Sequence, residues 1–110
     1  MQILRQSKEF TKKELFKIAN DNHKVLKNVP DDTKFHMVDY VRYRSDDDKE
    51  IAIIFTVTPD GEVETIATNS PTVIRTIERA VDFMESYDLE FFLRRAVSKS
   101  GRTFMNVELY

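Results

Sequence analysis

The sequence predicts a mostly β domain with two helices. Runs of β-branched and aromatic residues, separated by short polar turns, fill residues 34–68, and two further runs fill residues 89–110. Only two segments carry apolar residues at helical spacing. A chain of 110 residues has the length of one domain, so we expect a single domain over residues 1–110.

The first helix is predicted over residues 11–22. Thr11 followed by Glu14 forms a capping box, in which each side chain satisfies a backbone N–H at the helix start. Apolar residues then recur at helical spacing at Leu15, Ile18, Ala19 and Leu26. We therefore expect residues 1–30 to form an N-terminal helical extension that precedes the strands.

Three strands should follow, over residues 34–44, 51–58 and 62–68. The acidic segment SDDDK and the segment Pro59-Asp60-Gly61 supply the turns between them. In the third strand Val63 and Ala67 alternate with polar neighbours, which predicts that these two residues face the core.

A second helix is predicted from Ser70 to about residue 87. Ser70 can cap the helix, and Pro71 fits its first position because the missing N–H costs nothing there. Arg75 and Arg79 lie one turn apart among acidic residues that include Glu78, which favours an ion-paired, solvated face.

From residue 34 onward the predicted order is β-β-β-α-β-β. This is the order of the OB fold, a five-stranded barrel with a helix between its third and fourth strands. The sequence therefore predicts an OB-like five-stranded barrel preceded by an N-terminal helix.

The closing hairpin over residues 89–110 is the strongest candidate for a binding surface. Strand alternation places Phe92 and Arg94 on one face, joined from the returning strand by Arg102 and Phe104. Aromatic rings stack bases and guanidinium groups hold phosphates, so this mixture suits single-stranded nucleic acid. Lys99, in the turn, adds a further cation. An ordinary half-buried strand would also contain Phe and Arg, and that alternative stays open.

The first long strand offers a similar pattern. Tyr40, Arg42 and Arg44 share a parity, so Tyr40 could stack a base with the two arginines beside it. An unbroken strand would turn Asp39 into the core, so we expect a bulge near it. Which of Tyr40 and Tyr43 faces the ligand stays open, as does the alternative that Tyr40 packs in the barrel.

Two segments resemble a known family: IATNSPTVIRTIE, which leads into the second helix, and SKSGRTFMNVEL, in the closing hairpin. They resemble the small OB-fold single-stranded DNA-binding proteins encoded by phages of Gram-positive bacteria, over the C-terminal half of the chain. The resemblance implies sequence-tolerant binding during replication or recombination, as a homo-oligomer and with a possible partner protein. Many such proteins end in an acidic tail, whereas this sequence ends at Tyr110, which puts tail-mediated recruitment in doubt.

Composition narrows the function classes. There are no cysteines and two histidines, and no catalytic or phosphate-binding motif appears, so we expect no enzyme, no cofactor and no metal site. The first residues lack a signal-peptide core and no apolar run approaches the roughly 20 residues of a membrane span, which predicts a cytoplasmic protein that does not enter membranes. Both ends of the chain are basic and the middle is acidic, so a cationic surface requires the two ends to meet.

The preferred interpretation is binding of single-stranded DNA with little sequence preference, and RNA stays open as an alternative ligand. We expect Phe92, Phe104 and Tyr40 to stack bases, and five cations to hold the backbone: Arg42, Arg44, Arg94, Lys99 and Arg102. The alternative is a protein-interaction or regulatory module whose acidic middle segment docks a basic partner, since exposed Phe and Arg are also enriched in protein interfaces.

Overall fold

The structure is a computed structural model that describes residues 1–110. Seven strands and two α-helices follow one another along the chain. In order they are β1 (Gln2–Gln6), α1 (Lys12–Asn20), β2 (Lys24–Val25), a 3-10 turn (Leu26–Asn28), β3 (Lys34–Arg44), β4 (Glu50–Val57), β5 (Val63–Thr68), α2 (Pro71–Met84), β6 (Leu89–Val97) and β7 (Thr103–Leu109). The predicted mostly β class with two helices is confirmed.

One sheet contains all the strands, in the order β2-β5-β4-β3-β6-β7. The long strand β3 organises it: β4 pairs along one edge, while β6 and β1 share the other. All pairings are antiparallel except that of β2 with β5. The sheet curls into a half-barrel whose two end strands, β2 and β7, do not pair with each other.

The inner face of the half-barrel packs against α2. Ser70 accepts a hydrogen bond from the N–H of Val73 at 3.3 Å, so this helix begins as predicted. Its buried stripe contacts residues from both halves of the sheet in the main core, which includes Val73, Ile77, Val81, Tyr40, Ile54, Ile66, Leu89, Phe91, Leu93 and Val107. Burial of this apolar surface is the main force that holds the half-barrel closed over α2.

The outer face of β3, β4 and β5 packs against α1 and the segment before it. Phe10 and Ile18 form a second, smaller core with Val41, Tyr43 and Ile53. The sequence of β4 is an almost continuous apolar run, as expected for a strand that is covered on both faces. In β5 the prediction that Val63 faces the core is wrong, because Ile66 faces the main core and Val63 is 66% exposed.

The N-terminal 30 residues are not the predicted helical extension. The strand β1 comes first and pairs with β3, and α1 spans only residues 12–20. The Thr11 and Glu14 capping box is present as predicted. Ala19 is exposed, and Leu26 lies in the 3-10 turn and fills the main core instead of extending the stripe of α1. Polar residues 21–24 and Pro30 thus break the chain into short elements.

The acidic residues of α2 bind β1 and β3, not the arginines of their own helix. Glu78 accepts hydrogen bonds from Tyr40 and Arg42, and Asp82 pairs with Arg5 at 2.6 Å. Arg5 also donates to the hydroxyl of Tyr87 at 2.8 Å. The predicted ion-paired face around Arg75 and Arg79 is therefore absent, and neither arginine has a carboxylate within 4.0 Å.

Hydrogen bonds from Arg95 connect β6 to the segment that precedes β3. Its guanidinium donates to the carbonyl oxygens of Lys27 and Val29, each at 2.8 Å, and its backbone N–H donates to Asp31. These bonds satisfy carbonyl groups of the 3-10 turn and fix the hairpin relative to β3. No helix of the structure combines the length and apolar character needed to cross a membrane.

Candidate nucleic-acid interface

The outer face of the β6–β7 hairpin brings together the residues that alternation predicted. Phe92 pairs with Glu108 and Arg94 with Asn106, with no register shift along the ladder. Directly opposed residues of an antiparallel pair share a face, and so do residues two apart on a strand. Phe92, Arg94 and Phe104 therefore lie on one face, opposite to the core residues of the hairpin.

These three side chains are accessible to different degrees. Phe104 is 51% exposed and the side chain of Arg94 is 55% exposed. Phe92 is half-buried because its ring meets that of Tyr110 edge to face, at a centroid distance of 6.4 Å. The guanidinium carbon of Arg94 lies 4.8 Å from the centroid of the Phe92 ring. The face of Phe92 is thus already in contact with a cation.

Two residues that the sequence interpretation missed complete this surface. Lys34, at the start of β3, pairs with Phe92 and places its Nζ atom 3.9 Å from the centroid of the Tyr110 ring. Tyr110 itself is 65% exposed. Its parity matches that of Phe104, so alternation could have identified it. Lys34 could not have been found this way, because its position depends on the register between β3 and β6.

The hairpin tip presents two further cations. The N–H of Ser98 donates to the carbonyl of Arg102, and Gly101 closes the turn with a φ of 84°, a conformation that favours glycine. Lys99 and Arg102 are exposed and have no carboxylate within 4.0 Å. We call the whole set the hairpin patch: Lys34, Phe92, Arg94, Phe104 and Tyr110, with Lys99 and Arg102 at the tip.

Carboxylates lie beside the hairpin patch as well. Asp32 is 3.5 Å from Nε of Arg94, and Glu90 and Glu108 face the same way as Phe92. The Asp32 side chain is 71% exposed, so its interaction with Arg94 is solvent-screened and weak. A bound polyanion would gain from the cations but would be repelled by these three carboxylates.

Tyr40 does not belong to this surface, and its prediction as an exposed stacking residue is wrong. Its side chain is fully buried, and its hydroxyl donates to Glu78 Oε2 at 2.6 Å. The ring packs on Tyr87 with a centroid distance of 6.0 Å. Burial, and then the nearby Glu78 carboxylate, raise the pKa of Tyr40 far above its ordinary value. The alternative of a barrel-packing tyrosine is the one that the geometry fits.

A β-bulge in β3 explains why strand alternation gave the wrong face for Tyr40. The ladder between β3 and β4 shifts register between Met37 and Asp39, as predicted near Asp39. Ser7 supports the bulge, since its hydroxyl donates to Asp39 at 2.9 Å and accepts the N–H of Tyr40 at 2.8 Å. Tyr40 consequently faces the main core while Tyr43 faces the smaller core. Both tyrosines are buried, so neither faces a ligand.

Arg42 and Arg44 lie away from the hairpin patch and are ion-paired. Arg42 donates to Glu78 at 2.6 Å and to Glu50 at 2.8 Å, and its hydrogen bond with Glu78 raises its pKa. Arg44 approaches Asp48 and Glu50, each at 3.5 Å. Of the predicted phosphate contacts, only Arg94, Lys99 and Arg102 therefore belong to the hairpin.

The outer face of β4 and β5 is closed by α1. Phe10 stacks on Phe55 with a centroid distance of 5.4 Å. His23 lies between α1 and β2; one of its ring nitrogens is 2.8 Å from the carbonyl oxygen of Ile18 and the other is 2.6 Å from the Thr65 hydroxyl. Because these contacts cover the centre of the sheet, the exposed aromatic surface of the outer face lies on the hairpin.

Comparison with known protein families, with curated proteins and with solved structures finds no match to this chain.

Proposed function

We propose that this chain binds single-stranded DNA, with little sequence preference, on the hairpin patch. The observation that carries the proposal is the shared exposed face of Phe92, Arg94 and Phe104, with Lys34 and Tyr110 beside them. Aromatic rings stack any base, because every base has a π-face, and nearby cations hold the phosphates. The guanidinium of Arg94 can stack on a base as well as on Phe92.

The arrangement favours a single strand over a duplex. The exposed aromatic rings of the hairpin can stack on bases, whereas readout of a DNA major groove relies on hydrogen bonds to base edges. Stacking also requires unpaired bases. The overall net charge of −2 argues against strong nonspecific attraction to duplex DNA, which depends on a large cationic footprint.

We further propose that β3–β7 and α2 form an OB-like barrel. The support is the order of these elements and the position of β3 between β4 and β6. Two features depart from that pattern: β7 does not pair with β5 to close the barrel, and β2 occupies part of the β5 edge instead. A role in phage replication or recombination, and assembly into a homo-oligomer, rest on the sequence resemblance alone.

Binding of a fluorescent oligo-dT, followed by anisotropy at several salt concentrations, tests the proposal. Four cations belong to the patch, and contact with three or four phosphates predicts a slope of log K against log salt of about −2 to −3. Oligo-U in parallel measures any preference for DNA over RNA. No binding of either oligonucleotide at low salt would rule the proposal out.

The second candidate, a protein-interaction module, is favoured by the exposure of the acidic loop between β3 and β4. The side chains of Asp46 and Asp48 are 97% and 87% exposed. A basic partner could dock there without contact to the hairpin. Binding of oligo-dT that is abolished by hairpin substitutions, yet unaffected by Asp46→Asn, would favour the first proposal.

A further inference from the structure

The outward face of α1 is a second exposed surface with cations and an aromatic ring. Lys12, Lys13 and Lys17 are exposed, and Phe16 is 69% exposed on the same side of the helix. None of the three lysines has a carboxylate within 4.0 Å; the ion pairs of this segment are made by Lys8 instead. The three charges are therefore available to an external anion.

This surface lies on the same side of the sheet as the hairpin patch, which the strand registers establish. Phe55, which packs against the smaller core that contains Ile18 of α1, lies two residues from Val57 on β4 and shares a face with it. Val57 pairs with His36, and His36 pairs with Glu90, two residues before Phe92. The basic first segment of the chain and the basic hairpin thus lie on the same side of the sheet, with His36 and Glu90 between them.

The helix α2 lies on the other side, in the inner core. Its exposed Arg75 and Arg79 are also without carboxylate partners and are spaced four residues apart, like Lys13 and Lys17. These two arginines provide a matched control, because their replacement removes the same charge from a helix of similar exposure on the opposite face.

We propose that the outward face of α1 is a second contact for the strand that binds the hairpin patch. This inference rests on the proposed function. A single strand that crosses the sheet from the hairpin would meet the lysines as phosphate contacts and Phe16 as a stacking ring. A nucleic acid is favoured as occupant because the lysines complement its charge and the surface continues the face that carries the hairpin patch.

The test compares Lys13→Gln/Lys17→Gln with Arg75→Gln/Arg79→Gln, using oligo-dT of increasing length at several salt concentrations. Loss of two phosphate contacts should make the salt slope of the first variant shallower by about 1.4 on long oligonucleotides. The shortest oligonucleotide that still binds should show no difference, because it occupies the hairpin alone. The second variant should match the unmodified protein at every length.

The inference is overturned if both double variants give the same affinity and slope on long oligonucleotides. That result would leave the proposed function intact, provided that hairpin substitutions still weaken binding. If the unmodified protein binds no oligonucleotide, both the proposed function and this inference fail. Thermal unfolding of both variants checks that the exposed substitutions leave the fold unchanged.

Discussion

The guanidinium carbon of Arg94 lies 4.8 Å from the centroid of the Phe92 ring. In the free protein this cation covers the ring face that a base would use. Lys34 has the same relationship to Tyr110, at 3.9 Å. Under the proposed function a base would bind in one of two ways: it would displace the cation from the ring, or it would stack on the planar guanidinium. In either case we expect the cation to contact the neighbouring phosphate.

Replacement of Phe92 and Phe104 by alanine should weaken single-strand binding. Each stacked base contributes about 1–3 kcal/mol in alanine substitutions, so each variant should lose roughly fivefold or more in affinity. Anisotropy titration with oligo-dT measures the loss. Phe83→Ala is the control, since Phe83 is 87% exposed on α2, on the opposite side of the sheet. Equal affinities for Phe83→Ala and Phe92→Ala would contradict the assignment.

Asp32→Asn should strengthen binding. Asp32 lies 3.5 Å from Arg94, and removal of its charge leaves the guanidinium free and takes a negative group away from the phosphates. Asn tolerates the positive φ of 61° at this position. Because the ion pair is exposed and weak, we expect the affinity for oligo-dT to increase roughly twofold to fivefold, as measured by the same titration at low salt.

Asp48→Asn is a closely matched control for that variant. Asp48 also has a positive φ, 64°, and lies 3.5 Å from Nε of Arg44. Its loop is at the far end of β3 from the hairpin patch. If Asp48→Asn strengthened binding as much as Asp32→Asn, the effect would reflect net charge, or a role for Arg44 in binding, and not the hairpin.

Tyr40→Phe should lower stability and leave binding unchanged. The substitution removes one hydrogen bond to the carboxylate of Glu78, which contributes about 1.5–3 kcal/mol to the free energy of unfolding when one partner is charged. Urea unfolding measures the stability, and oligo-dT titration measures the affinity. A loss of affinity with unchanged stability would instead indicate that Tyr40 contributes to oligonucleotide binding.

The ion pair of Asp82 should make the stability of the fold depend on pH in the acid range. Its hydrogen bond with Arg5 lowers its pKa below the ordinary value of 3.8. A carboxyl with a depressed folded-state pKa stabilises the fold above its unfolded pKa, and this contribution is lost as pH falls through the folded pKa. Asp82→Asn should therefore lower the melting temperature at pH 7, and the difference should shrink as the pH falls from the ordinary carboxyl pKa through the lowered pKa of folded Asp82. A difference that is independent of pH would contradict the ion pair.

The hairpin could be predicted from sequence because its geometry is local. Its two strands are joined by a short turn, so alternation alone fixes which of Phe92, Arg94 and Phe104 share a face. A bulge near Asp39 could be predicted, but the face of Tyr40 could not, because it depends on which side of Tyr40 the register shift falls. That bulge depends on Ser7, a residue distant in sequence.

Other features depend on contacts between elements that are far apart in the chain. Glu78 and Asp82 lie three residues after Arg75 and Arg79 on their own helix, a spacing that permits ion pairs, yet they bind Arg42 and Arg5 on the sheet. Lys34 joins the hairpin patch through the register of β3 with β6. Sequence spacing carries no information about either arrangement.

The most direct test of the binding site is an NMR titration of the isotope-labelled protein with oligo-dT. With the shortest oligo-dT that binds, we predict that chemical shift changes concentrate in residues 90–106 of the hairpin, with Lys34 and Tyr110, and leave the inner face of α2 and Tyr40 unperturbed. Changes confined to the acidic β3–β4 loop, or no changes at an excess of oligonucleotide, would contradict the assignment of the hairpin patch as the single-strand interface.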